Sequence, residues 1–334
     1  MLRRAAKILI PIAVIWSGWW YIATSGMQTS LNAWFDARRT EGWQAQTGDM
    51  SRAGFPLRIA MVMSDVTLDD PETQAALHVP LLTLSTPIYW PGHATLRLGD
   101  VPATLSTPQA ELTFDSQGTV AALRLQPGPA LQLDSLHGSS SAVAITLDSA
   151  DMLRIDTLRA DVQQTADIQT YDIDLDAVGF TPGMLMRDAL RLPDSWPERF
   201  DTLVANMTVS FDRPWDRSAL EDSRPQPTAI KVDQVDIIWA DLNVSLTADL
   251  QVAAGGIASG TLKLKAKNWR QMLDLASTSG ALSARIRPQI ESGLTLLSGL
   301  SGSRDSLDME ITIDQGRMRM GFISLGTAPR LILR

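Results

Sequence analysis

The chain has 334 residues, of which 45% are hydrophobic and 20% charged, enough for one large or two ordinary domains held by apolar burial alone. The absence of cysteine excludes disulfides, thiolate nucleophiles, iron–sulfur clusters and cysteine-type zinc sites. The formal charge is -8, and since residues 1–30 hold only Arg3, Arg4 and Lys7, the remainder carries 26 basic against 37 acidic groups, an acidic body that repels phosphate backbones and excludes nucleic acid.

Residues 1–7 form a basic tip. A charge-free run extends from Ile8 to Ile22, with Ile8, Ile12, Ile15 and Trp16 apolar and Trp19, Trp20 and Tyr21 near its end. Positive-inside logic keeps the tip in the cytoplasm and sends the chain beyond Ile22 across the membrane. The run is a little short of the ~20 residues of an ordinary span, so it also fits the core of a cleaved signal peptide. The three aromatics favour an uncleaved anchor over 8–24, because amphipathic rings settle at the bilayer interface. The expected location is a bacterial inner membrane, single-pass, with the C-terminal domain in the periplasm. In the next segment, 25–46, Leu31, Trp34, Phe35, Arg38 and Trp43 recur at helical spacing, with Thr29 or Ser30 available as cap. This amphipathic helix is expected to pack its Trp and Phe on the domain; lying on the lipid surface is the alternative.

From Phe55 onward the period changes to two, as expected for antiparallel strands over a β-rich domain at 47–334. Strands are expected at Val143, Ile145 and Leu147; at Tyr171, Ile173 and Leu175, alternating with Asp172, Asp174 and Asp176; at Ala205 to Phe211; and at Leu242 to Leu250. Further strands are expected where Leu262, Leu264 and Ala266 alternate with Lys263, Lys265 and Lys267, then at Leu307 to Ile313, Arg317 to Met320 and Phe322 to Leu325. Three helices interrupt them: one capped by Thr181 and opened by Pro182, running to about Leu190; one from Trp269 to about Ala276 with Asn268 and Gln271 as a capping pair; and one opened by Pro288 to about Leu300. The charged, proline-rich segment 212–228 around Trp215 marks a soft internal break. The fold class is thus mainly β (α+β): a long curved antiparallel sheet or half-barrel with a few capping helices, preceded by an N-terminal transmembrane helix. Such a sheet leaves a groove, filled either by side chains or by a lipid-like ligand.

No nucleophile, metal-protease, phosphate-loop or dinucleotide motif occurs, and His78, His93 and His137 stand apart from any partner at motif spacing. Asp172, Asp174 and Asp176 share one strand face, but the glycine and glutamate of a calcium loop are missing, so they read as a solvated face. Asp69 with Asp70 and Glu221 with Asp222 are chain neighbours, not facing carboxylates. No catalytic residue, metal or cofactor is expected, and the chain is read as not an enzyme.

Leu31, Asn32, Trp34, Asp36, Ala37, Arg38, Arg39, Glu41, Gly42 and Trp43, then Gly54, Phe55, Pro56, Leu57 and Arg58, then Phe211, Asp212, Arg213 and Pro214 resemble the alphaproteobacterial DUF2125 family over nearly the whole chain. The Gly-Phe-Pro-x-Arg element is the most specific part. That family has no established activity. Gly316, Arg317, Met318 and Arg319 followed by Gly326 are distantly similar to the closing hairpin of AsmA-like envelope proteins, a resemblance that implies lipid movement or envelope assembly. Read from the residues alone, Gly54 supplies a turn, Phe55 enters the core, Pro56 starts a strand, and Arg58 pairs with an acidic strand neighbour or sits at the groove mouth near a headgroup. The functional expectation is lipid or acyl-chain binding in envelope biogenesis, the alternative being a scaffold for another envelope protein. The expected partners are the inner membrane and a lipid or such a protein.

Overall fold

The computed structural model describes residues 2–90, 92–192, 197–221, 224–239, 241–278, 287–300, 306–321 and 323–333. The chain divides into two compact units, residues 1–125 with 145–149 and residues 126–144 with 150–334. It is mainly β, with a long antiparallel sheet.

The first unit opens with α1 (Leu2–Thr40), followed by β1 (Gln44–Gln46), β2 (Met50–Ala53), β3 (Arg58–Asp70), β4 (Ala75–Pro87), β5 (His93–Leu98), β6 (Ala103–Ser106) and β7 (Glu111–Leu125). β1 and β2 pair successively with β3, β3 with β4, β4 with β5 and β6, and both of these with β7, all antiparallel. The two separate segments expected at 8–24 and 25–46 are one uninterrupted helix, and 44–46, expected as its end, is a strand. The hydroxyls of Thr24, Ser25 and Thr29 fit within this continuous helix. Each donates to a carbonyl one turn back, on Trp20, Tyr21 and Ser25, so Thr29 does not cap a new helix. The helix closes at Gly42, whose φ of 94° lets the Trp43 N–H reach the Arg38 carbonyl at 3.0 Å. Among the described residues, no helix is long and apolar enough to cross a membrane.

α1 lies along β3. Trp20 Nε1 donates to the Arg58 carbonyl at the start of the strand, and Gly42 lies beside Pro71 just past its end. Between them Phe35 is buried with Ala45, Met63, Val66 and Val79. This is the packing on the domain that the Trp and Phe spacing predicts, carried by Phe35, while Trp34 remains exposed.

The second unit takes most of β8 (Leu133–Leu147), then β9 (Ala150–Gln164), β10 (Thr170–Pro182), α2 (Met184–Leu190), β11 (Phe200–Phe211), α3 (Ser218–Glu221), β12 (Pro227–Trp239), β13 (Leu242–Ala253) and β14 (Ile257–Lys267). α4 (Trp269–Thr278), α5 (Arg287–Leu300), β15 (Ser306–Asp314), β16 (Arg317–Met320) and β17 (Ile323–Thr327) complete it. From β9 to β17 each strand pairs antiparallel with the next. Thr181 and Pro182 do not open α2. They end β10 opposite Arg154 and Leu153, and Gly183 is the N-cap. The pairing of β10 with β11 stops at Phe180, so beyond it β10 has an open side where a proline without N–H costs nothing. Asn268 precedes α4 as expected, but its side chain donates to the Asp241 carbonyl instead of capping. α4 and α5 cover one patch of sheet, burying Trp269, Leu273 and Leu294 on Ala266 and Leu307. Residue 322, expected to begin the last strand, lies outside the described residues. The segment around Trp215 lies within this unit.

Candidate functional site

Period-two alternation puts Tyr171 and Ile173 of β10 on one face, and register sets Tyr171 opposite Val209 of β11, which in turn faces Ile230 of β12. The opposite face of the same strands is polar. There Thr208 donates to Asp172 at 2.7 Å, Asn206 donates to Asp174, and Lys231 meets Asp233 at 2.6 Å. That contact holds the Lys231 ammonium above its ordinary range. Asp172 and Asp174 therefore spend lone pairs on cross-strand donors, as a solvated strand face does. On β14, Lys263 and Lys265 lie opposite Glu310 and Asp308 of β15.

The apolar face opens as a cleft of about 590 Å³, a size typical of small-molecule sites. Its floor is Val162, Tyr171, Ile173, Val209, Phe211 and Ile230. Leu133 and Leu136 of β8 and Trp215 form walls, and the C-terminal residues Arg330 to Leu333 lie along one side. Tyr171 is 1% exposed, and its ring meets Phe211 edge-on at 5.9 Å while Phe211 meets Trp215 at 5.6 Å. The Tyr171 hydroxyl accepts the Trp215 backbone N–H at 3.1 Å and Gln164 Nε2 at 3.2 Å. Burial pushes this hydroxyl above its ordinary pKa, the hydrogen bonds from Trp215 and Gln164 opposing it. The hydroxyl at the floor is thus engaged by two donors, and the side chains facing the space are mostly hydrocarbon.

The C-terminal segment is held through its backbone, by the Gly256 carbonyl and by the side-chain amide of Gln226. Leu331 N–H donates to the Gly256 carbonyl at 2.9 Å, and Gln226 both donates to the Leu333 carbonyl (2.8 Å) and accepts its N–H (3.0 Å). Gly256, at φ 76°, comes so close that a Cβ there would stand 2.6 Å from Ile332 Cγ1 and 2.8 Å from Leu331 N. Arg330, at the cleft edge, is exposed and has no ion pair among the described residues.

The residues singled out in the sequence meet elsewhere, in the first unit. Trp16 Nε1 donates to the Pro56 carbonyl at 2.8 Å, Trp20 Nε1 to the Arg58 carbonyl at 2.7 Å, and the Trp20 and Phe55 rings pack edge-on at 5.4 Å. Gly54 adopts φ 92°, and a Cβ there would lie 2.8 Å from the Arg58 carbonyl oxygen. This is the turn expected of it. Phe55 is not a core residue: it is 56% exposed. Pro56 precedes β3 rather than starting it, and Arg58 bonds the hydroxyls of Ser85 and Thr95 instead of a carboxylate. No acidic side chain occurs in the neighbouring strand segments, so the expected ion pair has no partner to form with. Ile12, Ile15, Trp19 and Tyr21 project from α1 as exposed side chains; the side chain of Ile8 lies outside the described residues. His78 is 3.7 Å from Asp65, His137 is 2.6 Å from Asp161, and His93 packs beside Trp90, so the three are dispersed. Among the described residues, no three His, Asp or Glu side chains gather as a metal site.

Sequence reasoning identifies Tyr171, Ile173, Val209 and Phe211 as inward strand positions but not as the floor of an open cleft. The apolar run Leu331, Ile332, Leu333 after Pro329 is the unused signal that the C-terminus docks on something greasy.

In comparison with known proteins, the model of a family described as "Uncharacterized protein conserved in bacteria (DUF2125)" matches residues 19–329. No curated protein matches the chain.

Proposed function

The chain belongs to the DUF2125 family, and from its geometry we propose a binding rather than a catalytic role: a membrane-anchored protein that takes a lipid acyl chain in the cleft of its second unit during envelope biogenesis. The carrying observation is the hydrocarbon-lined 590 Å³ cleft, whose floor hydroxyl on Tyr171 is already engaged by Trp215 and Gln164, so that the floor favours apolar ligands. Arg330 at its edge supplies a cation for the carboxylate or phosphate of an amphipathic ligand. The hydrophobic start of α1 after Arg3, Arg4 and Lys7 supports a single-pass topology with the strands of both units in the periplasm.

Protein purified from membranes in mild detergent is expected to carry a defined added mass in native mass spectrometry that solvent extraction releases as a lipid or fatty acid. Ile173→Trp, which fills the cleft, should lose that mass while remaining folded. A wild-type chain that is bare under the same conditions overturns the reading. A second reading, a scaffold for another envelope protein, has one observation in its favour: the cleft already lies against an extended apolar peptide, its own residues 330–333. In that case crosslinking recovers one stoichiometric protein partner and no lipid.

A further inference from the structure

The geometry points to a second membrane contact, beyond the helix: the tip of the first unit, formed by Phe55, Leu57, Tyr89 and Trp90 beside α1, inserts into the bilayer interface. This rests on the membrane-anchor reading of α1 and explains how so short an apolar stretch serves as one.

Three independent observations carry it. The first is length. The domain grips α1 at Trp16 and Trp20 through the Pro56 and Arg58 carbonyls, and by Thr24 the helix side chain is fully buried against the unit. Only Ile8 to Ile15 is both uncharged and clear of that grip, about 12 Å at ~1.5 Å per residue, against a hydrocarbon core of ~30 Å. If the tip stayed in water, it would hold the exposed Trp19, Tyr21 and Ile22 there as well. Sinking the tip to the level of Ile22 lengthens the immersed helix to about 22 Å and leaves a modest mismatch that bilayer thinning absorbs.

The second observation is the tip itself. Phe55 (56% exposed), Leu57 (62%), Tyr89 (75%) and Trp90 (39%) stand together at one end of the unit. The Ile88 N–H joins the two loops by donating to the Leu57 carbonyl, and Arg58 pairs with Pro87. Aromatic side chains presented this way from two loops match the composition of membrane-interface belts.

The third is charge. Segments 50–60, 83–98 and 118–125, which build this end, contain no carboxylate, and on α1 the first after Trp16 is Asp36, about 30 Å along the helix. Arg52, Arg58 and Arg124 lie just behind the apolar tip, with Arg52 held by Gln28 and over the Tyr21 ring. Asp65, Asp69, Asp70 and Glu72 sit towards the opposite end of the β3–β4 hairpin. An otherwise acidic chain thus presents one end that carries arginines and no carboxylate behind its aromatic side chains, complementary to anionic lipid headgroups.

The chain has no cysteine, so single labels are clean. The full-length protein, reconstituted in phosphatidylethanolamine–phosphatidylglycerol vesicles, carries an environment-sensitive fluorophore at Leu57→Cys, Tyr89→Cys, Val14→Cys on the helix, or Thr73→Cys at the far turn. Lipids brominated on their acyl chains are expected to quench the Leu57, Tyr89 and Val14 labels several-fold and to leave the Thr73 label unchanged. Quenching at Val14 alone overturns the tip contact while the anchor stands. No quenching at any position overturns the anchor and the tip together. Loop labels that shift to the blue without quenching are covered by protein, such as a second copy, and also overturn the inference.

Discussion

Tyr171 ties two strands and a loop together through one hydroxyl, which accepts the Trp215 N–H and the Gln164 amide while its ring forms the cleft floor. Tyr171→Phe leaves the Trp215 N–H without its acceptor, while Gln164 keeps its bond to the Ile168 carbonyl, and is expected to cost about 1–2 kcal/mol, read by urea denaturation at neutral pH. The same residue gives a pH signature. Burial raises its pKa, so above the ordinary value of 10.0 the unfolded chain loses the phenol proton while the native chain keeps it, and stability falls as pH rises towards the folded value. Melts in that alkaline range should fall more steeply in the wild type than in Tyr171→Phe. Gly256 is the second residue on which the site turns. Its left-handed backbone alone makes Gly256→Ala cost about 1–2 kcal/mol, and the added Cβ displaces the backbone of Leu331. Hydrogen exchange at Leu331 and Leu333 is expected to accelerate in this variant. Unchanged protection would show that the segment is held elsewhere.

Among the elements, α1 and the α4–α5 pair do the same physical work on different strands: each lays a narrow apolar stripe on strands whose inner face would otherwise be wet. Trp269 is fully buried at the start of α4, so Trp269→Ala is expected to cost about 3–5 kcal/mol in chemical denaturation. The elements are largely legible in the sequence. Tyr171, Ile173 and Leu175 alternate with three aspartates, and Lys263, Lys265 and Lys267 with leucines and alanine, so strand and inner face follow from period two. Less legible are the ends. Thr181 and Pro182 carry a helix-start pattern, yet β9 remains available to pair with them, and a local signal yields to a partner strand distant in sequence. Thr29 resembles a cap for the same reason. Its alternative acceptor, a carbonyl one turn back, exists only if the helix is already continuous.

For the molecule as a whole, the two units carry separate buried clusters: one around Phe35 and Met63 in the first, and two in the second, around Trp269 and around Tyr171. The cleft belongs entirely to the second. Phe35→Ala is therefore expected to lower stability by about 3–5 kcal/mol in the first unit, seen by calorimetry, without changing the lipid recovered per folded chain. A loss of lipid in that variant would tie the cleft to the first unit. The sequence by itself determined the β-rich class, the acidic body behind a basic, hydrophobic start, and which strand residues face inward, because charge is additive and side-chain direction in a strand alternates residue by residue. Only the tertiary structure decided what covers those inward faces. It left Tyr171 and Ile173 beneath an open cleft edged by residues 330–333, turned Phe55 and Leu57 outward, and set Trp16 and Trp20 against their loop. Periodicity reports the direction a side chain takes from its own backbone; whether another segment meets it there depends on pairing between residues far apart in the chain.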